Sequence, residues 1–406
     1  MSKNVKFGVA TLSLAIIVFL VAGQLGVHAG GDGGAYKQLG VYSEVLSHIQ
    51  NQYVEEPNMP AVTDGALHGL LESLDANSSY MAPAEFKLYK DQMSRVEFTA
   101  DIGAVLSKRF GYGFVVSVWP GSPAEKAGLE NGDILESIDG KTSHEMSVAE
   151  IRARMRGLKG SQVHFNIIRA RKVEPFKLTA VRDNITTPAN TEKMLDGNIA
   201  YIRVWSMGKD RLADIAAKIK SAQSSGAKKL VIDLRATADG DPADGVATAN
   251  LFLEKGEIAE VKGQQFAKQD FTADAQKQIT KLPVALLVNR YTANAAEVLA
   301  AALQDDARAQ VVGEKTFGSA SVQKEFDLPD GGALLLSVAK YYSPSGKSIQ
   351  DALVIPGTIV TLDALDTSVV DEEEDGTTPQ QQATPKKIMP KTDEVLNKAL
   401  EVLKKG

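Results

Sequence analysis

The sequence predicts a small N-terminal helical domain, a mainly-β domain after it, and an α/β core. Three observations carry that expectation. Apolar residues recur at the helical period between residues 36 and 95. Short strand-like runs separated by Gly- and Asn-containing turns fill residues 99–182. From Asn198 onward strand-like and helix-like stretches alternate, which implies an α/β core with its ligand site at the carboxyl ends of strands.

Composition narrows the function classes. The chain has 406 residues, 44% hydrophobic and 24% charged, the balance of an ordinary globular protein with room for two or three domains. A formal net charge of -6 argues against a general affinity for nucleic acid. Cysteine is absent, which excludes disulfides and thiolate metal sites, and the 5 histidines have no metal-ligand spacing. No cofactor and no metal are expected.

In chain order, Lys3 and Lys6 precede an apolar run over residues 7–23, and Val27-His28-Ala29 offers the small residues that a signal peptidase reads. The run is long for a signal core and at the lower limit for a spanning helix. Residues 1–29 are expected to be an export signal, cleaved or kept as an inner-membrane anchor, with the body outside the cytoplasm, periplasmic in the cell envelope. Residues 30–35 read as a Gly-rich spacer. Residues 36–98 read as helices, with Leu39, Val41, Leu46, Ile49 and Tyr53 on the face of the first and Leu67, Leu70 and Leu71 on the second. Pro83 opens the third.

Residues 99–182 contain GSPAEKAGLENGDILESIDGK, in which Ser122 and Pro123 open a short helix, Gly128 ends it, and Asn131-Gly132-Asp133 turns the chain into a strand. This stretch resembles a PDZ domain. Such domains add a peptide, usually a free C-terminus, as a strand to an exposed edge. The resemblance places the receiving amides around Asp101, Ile102, Gly103 and Ala104. Asp101 opposes that use, because a carboxylate beside the receiving loop repels another.

Residues 183–365 form the expected core. Strands are expected at 199–205, 229–235 and 282–289, and helices at 211–221 and 246–253. Residues 284–323 read as a buried strand, a tight turn, an amphipathic helix and a second strand, with hairpin-like strands at 326–328 and 333–341 after them. That is the layout in which α/β proteins place a nucleophile at the mouth of a helix, yet no Ser, Cys or His stands at the turn. Residues 366–391, acidic and then Gln-, Thr- and Pro-rich, read as a disordered linker. Residues 392–406 close with an amphipathic helix whose apolar face is Val395, Leu396, Ala399, Leu400 and Leu403.

With these pieces in order, residues 36–356 resemble the carboxyl-terminal processing peptidases, serine peptidase family S41. SLDANSSYMAP (73–83) is similar to the family's LDPHSSY stretch, and VIDLRATADGD (231–241) stands where the family has a DLRNNPGG-like segment. AALQDDARAQVVGEKTFGSASVQ (301–323) and KYYSPSGKSIQ (340–350) are close to family wording. The resemblance implies a ClpP/crotonase-like α/β protease core and a serine nucleophile activated by a lysine that an oriented glutamine holds. A lysine base must be neutral, well below its ordinary pKa of about 10.4, and hence buried.

Here the pattern breaks. With Glu297 aligned to the glutamate of the family's SASASE-like turn, Asn294 occupies the nucleophile slot, Ser319 the lysine slot, and Gln323 the glutamine slot. Where the family has a Gly-Gly pair, this chain has Asp239-Gly240, and a carboxylate there opposes the charge of a tetrahedral intermediate. Thr292 with Lys315 is the alternative nucleophile and base; Ser319 and Ser321 lie near Lys324. The blander reading makes Lys315 and Lys324 surface charges and Asn294 a helix cap.

The expected function is therefore a degenerate peptidase, catalytically inactive, that binds protein C-terminal tails or unfolded polypeptides as an adaptor or scaffold. An active peptidase relative is a further expected partner, and the helices between Tyr36 and Arg95 and the C-terminal helix offer self-association surfaces. The alternatives are an active serine-type endopeptidase with a relocated dyad, and a structural envelope module with a blocked PDZ edge.

Overall fold

A computed structural model describes residues 33–170, 172, 174–209, 211–360 and 392–405. The expected export segment (1–29), residues 30–32 of the spacer and the expected linker (366–391) lie outside the described residues. Among the described residues no helix is long and apolar enough to cross a membrane.

The chain divides into two compact units, residues 1–66 and 67–406. In the first, α1 (Gly33–Gln52) begins inside the segment expected as a spacer. Glycine disfavours a helix by only about 1 kcal/mol per residue, so an established helix can extend across Gly33 and Gly34. α2 (Met59–Glu72) begins in this unit and continues past its end at Ala66, its first turn held where Asn58 Oδ1 accepts from Ala61 N at 3.3 Å.

In the second unit, β1 (Ser79–Met81) and α3 (Pro83–Ser94) come first. The helical domain expected over 36–98 is therefore divided. Phe86 and Tyr89 of α3 pack with Met81, Ala333, Leu335 and Ala149, and Ser79 pairs with Leu335 in a strand ladder. Residues 79–81 owe their strand state to that long-range pairing.

The mainly-β domain comprises β2 (Ala104–Arg109), β3 (Tyr112–Val118), α4 (Pro123–Ala127), β4 (Ile134–Ile138), β5 (Lys141–Thr142), α5 (Val148–Met155), β6 (Gln162–Ile168) and β7 (Phe176–Val181). Its sheet runs β2-β3-β4-β6-β7, with β5 on β4. Ser122 Oγ accepts from Glu125 N at 3.1 Å to start α4, and Gly128 closes it at φ 86°, a conformation that glycine adopts without strain. Ile102, Leu106, Val115, Leu135, Ile151 and Phe165 fill the core. α5 packs beside β2, an edge strand.

The core comprises β8 (Thr191–Leu195), β9 (Ile199–Arg203), α6 (Arg211–Ser224), β10 (Lys229–Asp233), α7 (Pro242–Ala249), β11 (Glu257–Lys262), β12 (Gln269–Thr272), β13 (Val284–Val288), α8 (Ala295–Asp305), β14 (Ala309–Gly313), β15 (Ser321–Asp327), β16 (Ala333–Tyr342), α9 (Ile349–Ala352), β17 (Thr358–Ile359) and α10 (Glu394–Lys405). One sheet runs β17-β14-β13-β10-β9-β8, parallel except for the antiparallel edge strand β8. Side chains alternate across it. Leu230, Ile232 and Leu286 meet the face of α6 and α8, whereas Val231, Leu287 and Val312 meet Val395, Ala399 and Leu403 of α10. A second sheet runs β1-β16-β11-β12, with β15 also on β16.

Two expected elements shift. The helix expected at 246–253 is α7, because Pro242 fits a first helical turn and residues 251–253 enter the core outside the helix. The strand expected at 326–328 begins at Ser321, so Gln323 lies within the β15–β16 ladder.

Candidate functional site

The carboxyl ends of β10, β13 and β14 converge on the turn between β13 and α8. β13 is buried throughout, and the chain then reverses over residues 289–294. Ala293 N donates to Thr237 O at 2.9 Å, and Phe317 N donates to Thr292 O at 2.9 Å, so the loops after all three strands are tied to this turn. Thr292 is fully buried; its hydroxyl donates to Leu234 O at 2.9 Å and accepts from Asn289 N at 3.0 Å. Those bonds make it a structural threonine. Lys315 is exposed, and Lys324, also exposed, lies 5.0 Å over the Phe326 ring. Neither lysine has the burial that a neutral base requires, so the substitute Thr292–Lys315 pair is not assembled.

Asn294 stands at the head of α8 with φ 52° and ψ -119°. A non-glycine residue in this region is strained and persists where surrounding contacts over-determine it. The side chain was expected to cap α8, but it makes no cap hydrogen bond. Its Nδ2 instead donates to Ala238 O at 2.8 Å, and its Oδ1 accepts from Ser319 Oγ at 3.1 Å. Asn294 N donates to the same Ser319 hydroxyl at 3.2 Å. The two slots identified in the sequence are thus in direct contact.

Behind them lies Glu297, the only charged residue in residues 295–303 and fully buried. Its carboxyl accepts from Thr316 Oγ1 at 2.5 Å, Gly318 N at 2.7 Å, Ser319 N at 2.9 Å and Asn294 N at 3.1 Å. Burial pushes its pKa up to about 7, against the hydrogen bonds from Thr316 and the backbone amides that favour the charged form. Glu297 fixes the turn that carries Asn294 to the loop that carries Ser319. The sequence signal for it was a lone carboxylate in an otherwise apolar helix stretch.

Asp239 turns its carboxylate toward the 206–208 loop, accepting from the Ser206 hydroxyl and from Met207 N at 3.0 Å. Burial raises its pKa, opposed by those bonds. Gly240 adopts φ 87°, and a Cβ there would lie 2.7 Å from Met207 O, so the glycine is sterically required. Gln323 is not joined to Ser319 by a hydrogen bond; its Nε2 donates to Asn77 O at 2.8 Å. Ser206 and Glu297 were not singled out as functional by sequence reasoning.

Asn294, Ser319, Asp239, Gly240, Ser321 and Gln323 line a cleft of about 1120 Å³, which continues to Asp101, Gly103 and Ala104 beside β2. Phe114 and Val116 of β3 pack on Ala238 and Ala293, and Ser117 Oγ donates to Ala236 O at 2.7 Å. The mainly-β domain therefore rests directly on the turn that precedes Asn294. At the β2 end, Asp101 Oδ1 accepts from Ile102 N at 2.6 Å and Gly103 N at 3.0 Å. Two of the expected receiving amides are thus occupied from within the chain.

Among the described residues, one group of acids has ligand-like spacing: Glu257, Glu260 and Asp270. Lys262 and Lys268 pair with Glu260 at 2.5 and 2.7 Å, and Lys268 pairs with Asp270 at 3.0 Å, so two of the three carboxylates are already engaged by lysines.

The profile of Peptidase family S41 matches residues 198–360, and that of a PDZ domain matches residues 114–169. The carboxy-terminal-processing protease of Bartonella bacilliformis is 32% identical over 365 residues, which cover 89% of this chain and 83% of that protein. The chain belongs to peptidase family S41. The carboxy-terminal processing protease CtpA of Bacillus subtilis is 33% identical over 316 residues, 77% of this chain and 67% of the relative. Among solved structures, the photosystem II D1 C-terminal processing protease superposes with a TM-score of 0.64 at 24% identity, covering 79% of this chain and 86% of that one. That likeness establishes the S41-type α/β fold. The expectations of a PDZ domain and an S41 core are met, and the chemistry at Asn294 and Ser319 must be argued from their own geometry.

Proposed function

We propose that this chain is a peptide-capturing member of family S41, which holds protein tails or unfolded polypeptide along its PDZ edge and cleft without cleaving it. The observation that carries this reading is the Asn294–Ser319 contact. An asparagine amide is not a nucleophile toward peptides, and a serine hydroxyl is no base near neutral pH. Both side chains are also engaged: the amide nitrogen with Ala238 O, and the hydroxyl with Asn294 Oδ1. The two residues that the resemblance matches to the family's nucleophile and base form a neutral hydrogen-bonded pair beside an open cleft.

Holding without cutting suits an adaptor or scaffold, with a cleavage-competent relative as its partner. The basic residues ahead of the apolar run at 7–23 favour a site of action outside the cytoplasm.

The test uses the purified full chain with fluorescein-labelled unfolded casein. Anisotropy is expected to report binding, retained in Asn294→Ala and weakened in Ser321→Trp, which narrows the cleft. Mass spectrometry of the same mixtures is expected to find intact casein. Fragments formed by the wild type and lost in Ser319→Ala would overturn the reading.

A further inference from the structure

The PDZ edge carries a second departure, and it concerns which part of a polypeptide fits there. An edge strand captures a chain terminus when its loop offers unpaired amides to the terminal carboxylate. In this chain Asp101 Oδ1 already accepts from Ile102 N and Gly103 N, at 2.6 and 3.0 Å. An incoming terminal carboxylate would have to displace the Asp101 carboxylate from those amides and remain beside its charge. Like charges at that range in a partly buried groove are strongly unfavourable.

The other side of the groove has the opposite character. Arg152 of α5 reaches across to β2, its Nε donating to Leu106 O at 3.1 Å. Arg156 donates to Phe98 O at 3.1 Å and contacts Met93 Sδ at 3.5 Å. Both line the cleft, and among the described residues neither guanidinium is within ion-pair distance of a carboxylate. A strand added along β2 needs the Leu106 carbonyl for one of its own N–H groups. Taking it releases Arg152, which is then free to meet an anion on the incoming strand.

We propose that the PDZ edge accepts an internal, extended polypeptide segment bearing an acidic side chain, and that Asp101 turns away chain termini. This rests on the peptide-capture reading and narrows its ligand at the PDZ edge from tails or unfolded polypeptide to internal segments alone: the end of the chain is not read, while a Glu or Asp within the segment is read by Arg152 and Arg156.

The experiment measures anisotropy of labelled peptides of one sequence with a central Glu, in two forms. One is blocked at both ends, and the other has a free C-terminal carboxylate. The full wild-type chain is expected to bind the blocked form about tenfold more tightly. Replacing the peptide's Glu by Gln is expected to weaken binding about threefold, a difference that Arg152→Gln reduces and that Arg152→Gln with Arg156→Gln abolishes. Asp101→Gly opens the amides and is expected to invert the end preference. Asp101→Asn keeps an acceptor but not the charge, and is expected to bring the two forms to near parity. Circular dichroism establishes that each variant is folded; Asp101→Asn decides the matter if Asp101→Gly is not. A wild-type preference for the free carboxylate, or an end preference unmoved by both Asp101 variants, overturns this inference alone. No binding of either peptide removes the peptide-capture reading itself.

Discussion

Glu297 holds the two sides of the site together, and its burial makes the fold pH-sensitive. The ordinary glutamate value is 4.5, and in the folded chain it rises to about 7. The folded state therefore keeps a proton that the unfolded state has released between those values. The sign follows from linkage: stability contributed by this group is fully present below about 4.5, falls as pH rises, and is exhausted above about 7. The amplitude is roughly 3 kcal/mol. Urea unfolding from pH 4.5 to 8 is expected to show this loss. In Glu297→Gln the Glu297 share of that slope disappears, leaving what Asp239, also raised by burial, contributes in the same direction; stability is lower throughout, because one amide nitrogen must face backbone N–H donors. At the slots themselves, Asn294→Ser with Ser319→Lys places a nucleophile and an amine where the present side chains touch at 3.1 Å. The pair alone is expected to give little casein cleavage because Asp239 leaves a carboxylate where the resemblance places the oxyanion region. Adding Asp239→Gly is expected to raise the rate by at least tenfold, about 1.4 kcal/mol of transition-state stabilisation. Equal rates for the double and triple variants would acquit Asp239.

The helices that deliver the site are held to close tolerance. Gly245 of α7 lies against the start of α8, and a Cβ there would be 2.3 Å from Ala295 O and 2.9 Å from Val298 Cβ. Gly245→Ala is expected to force the helices apart at a cost of about 1–3 kcal/mol. The displacement falls on Asn294, so the amide resonance of its side chain is expected to move while those of the mainly-β domain stay in place. What could be read from sequence divides along similar lines. The short helix between Ser122 and Gly128, the buried run of β13 and the apolar face of α10 follow from local chemistry, and residue order reveals them. Features created by distant contacts were not legible. β1 is a strand because residues 333–335 pair with it, and Gln323 faces Asn77, 246 positions away in the chain. Asn294 is the sharpest case. Its type suggested a cap, and only the conformation imposed by packing turns its side chain to Ala238 and Ser319.

Within residues 67–406 the cleft belongs to neither domain alone. Phe114 stacks on Phe317 at 5.9 Å between ring centres and on Tyr291 at 6.5 Å, which seats the PDZ strands against the turn before Asn294. Arg109 covers the Phe114 and Phe317 rings at 5.6 and 5.4 Å. A cleft of about 1120 Å³ lies above the upper end of ordinary small-molecule sites and is continuous from β2 to Ser319. If one polypeptide occupies it, the PDZ edge and the Asn294 end act as linked sites, and affinity depends on length. An extended chain advances about 3.3 Å per residue, so a peptide of about five residues spans roughly 17 Å and one of about twelve roughly 40 Å, and the longer one has the greater reach along the cleft. Once the first end is bound, the second interaction becomes intramolecular, and the longer peptide is expected to bind on the order of tenfold more tightly. Phe317→Ala removes the ring between the two ends. It is expected to erase most of that advantage while leaving the short peptide's affinity for the PDZ edge unchanged. Equal affinities for the two lengths in the wild type would mean that the edge and the cleft are separate sites, and that the contact of Phe114 with Phe317 serves the fold alone.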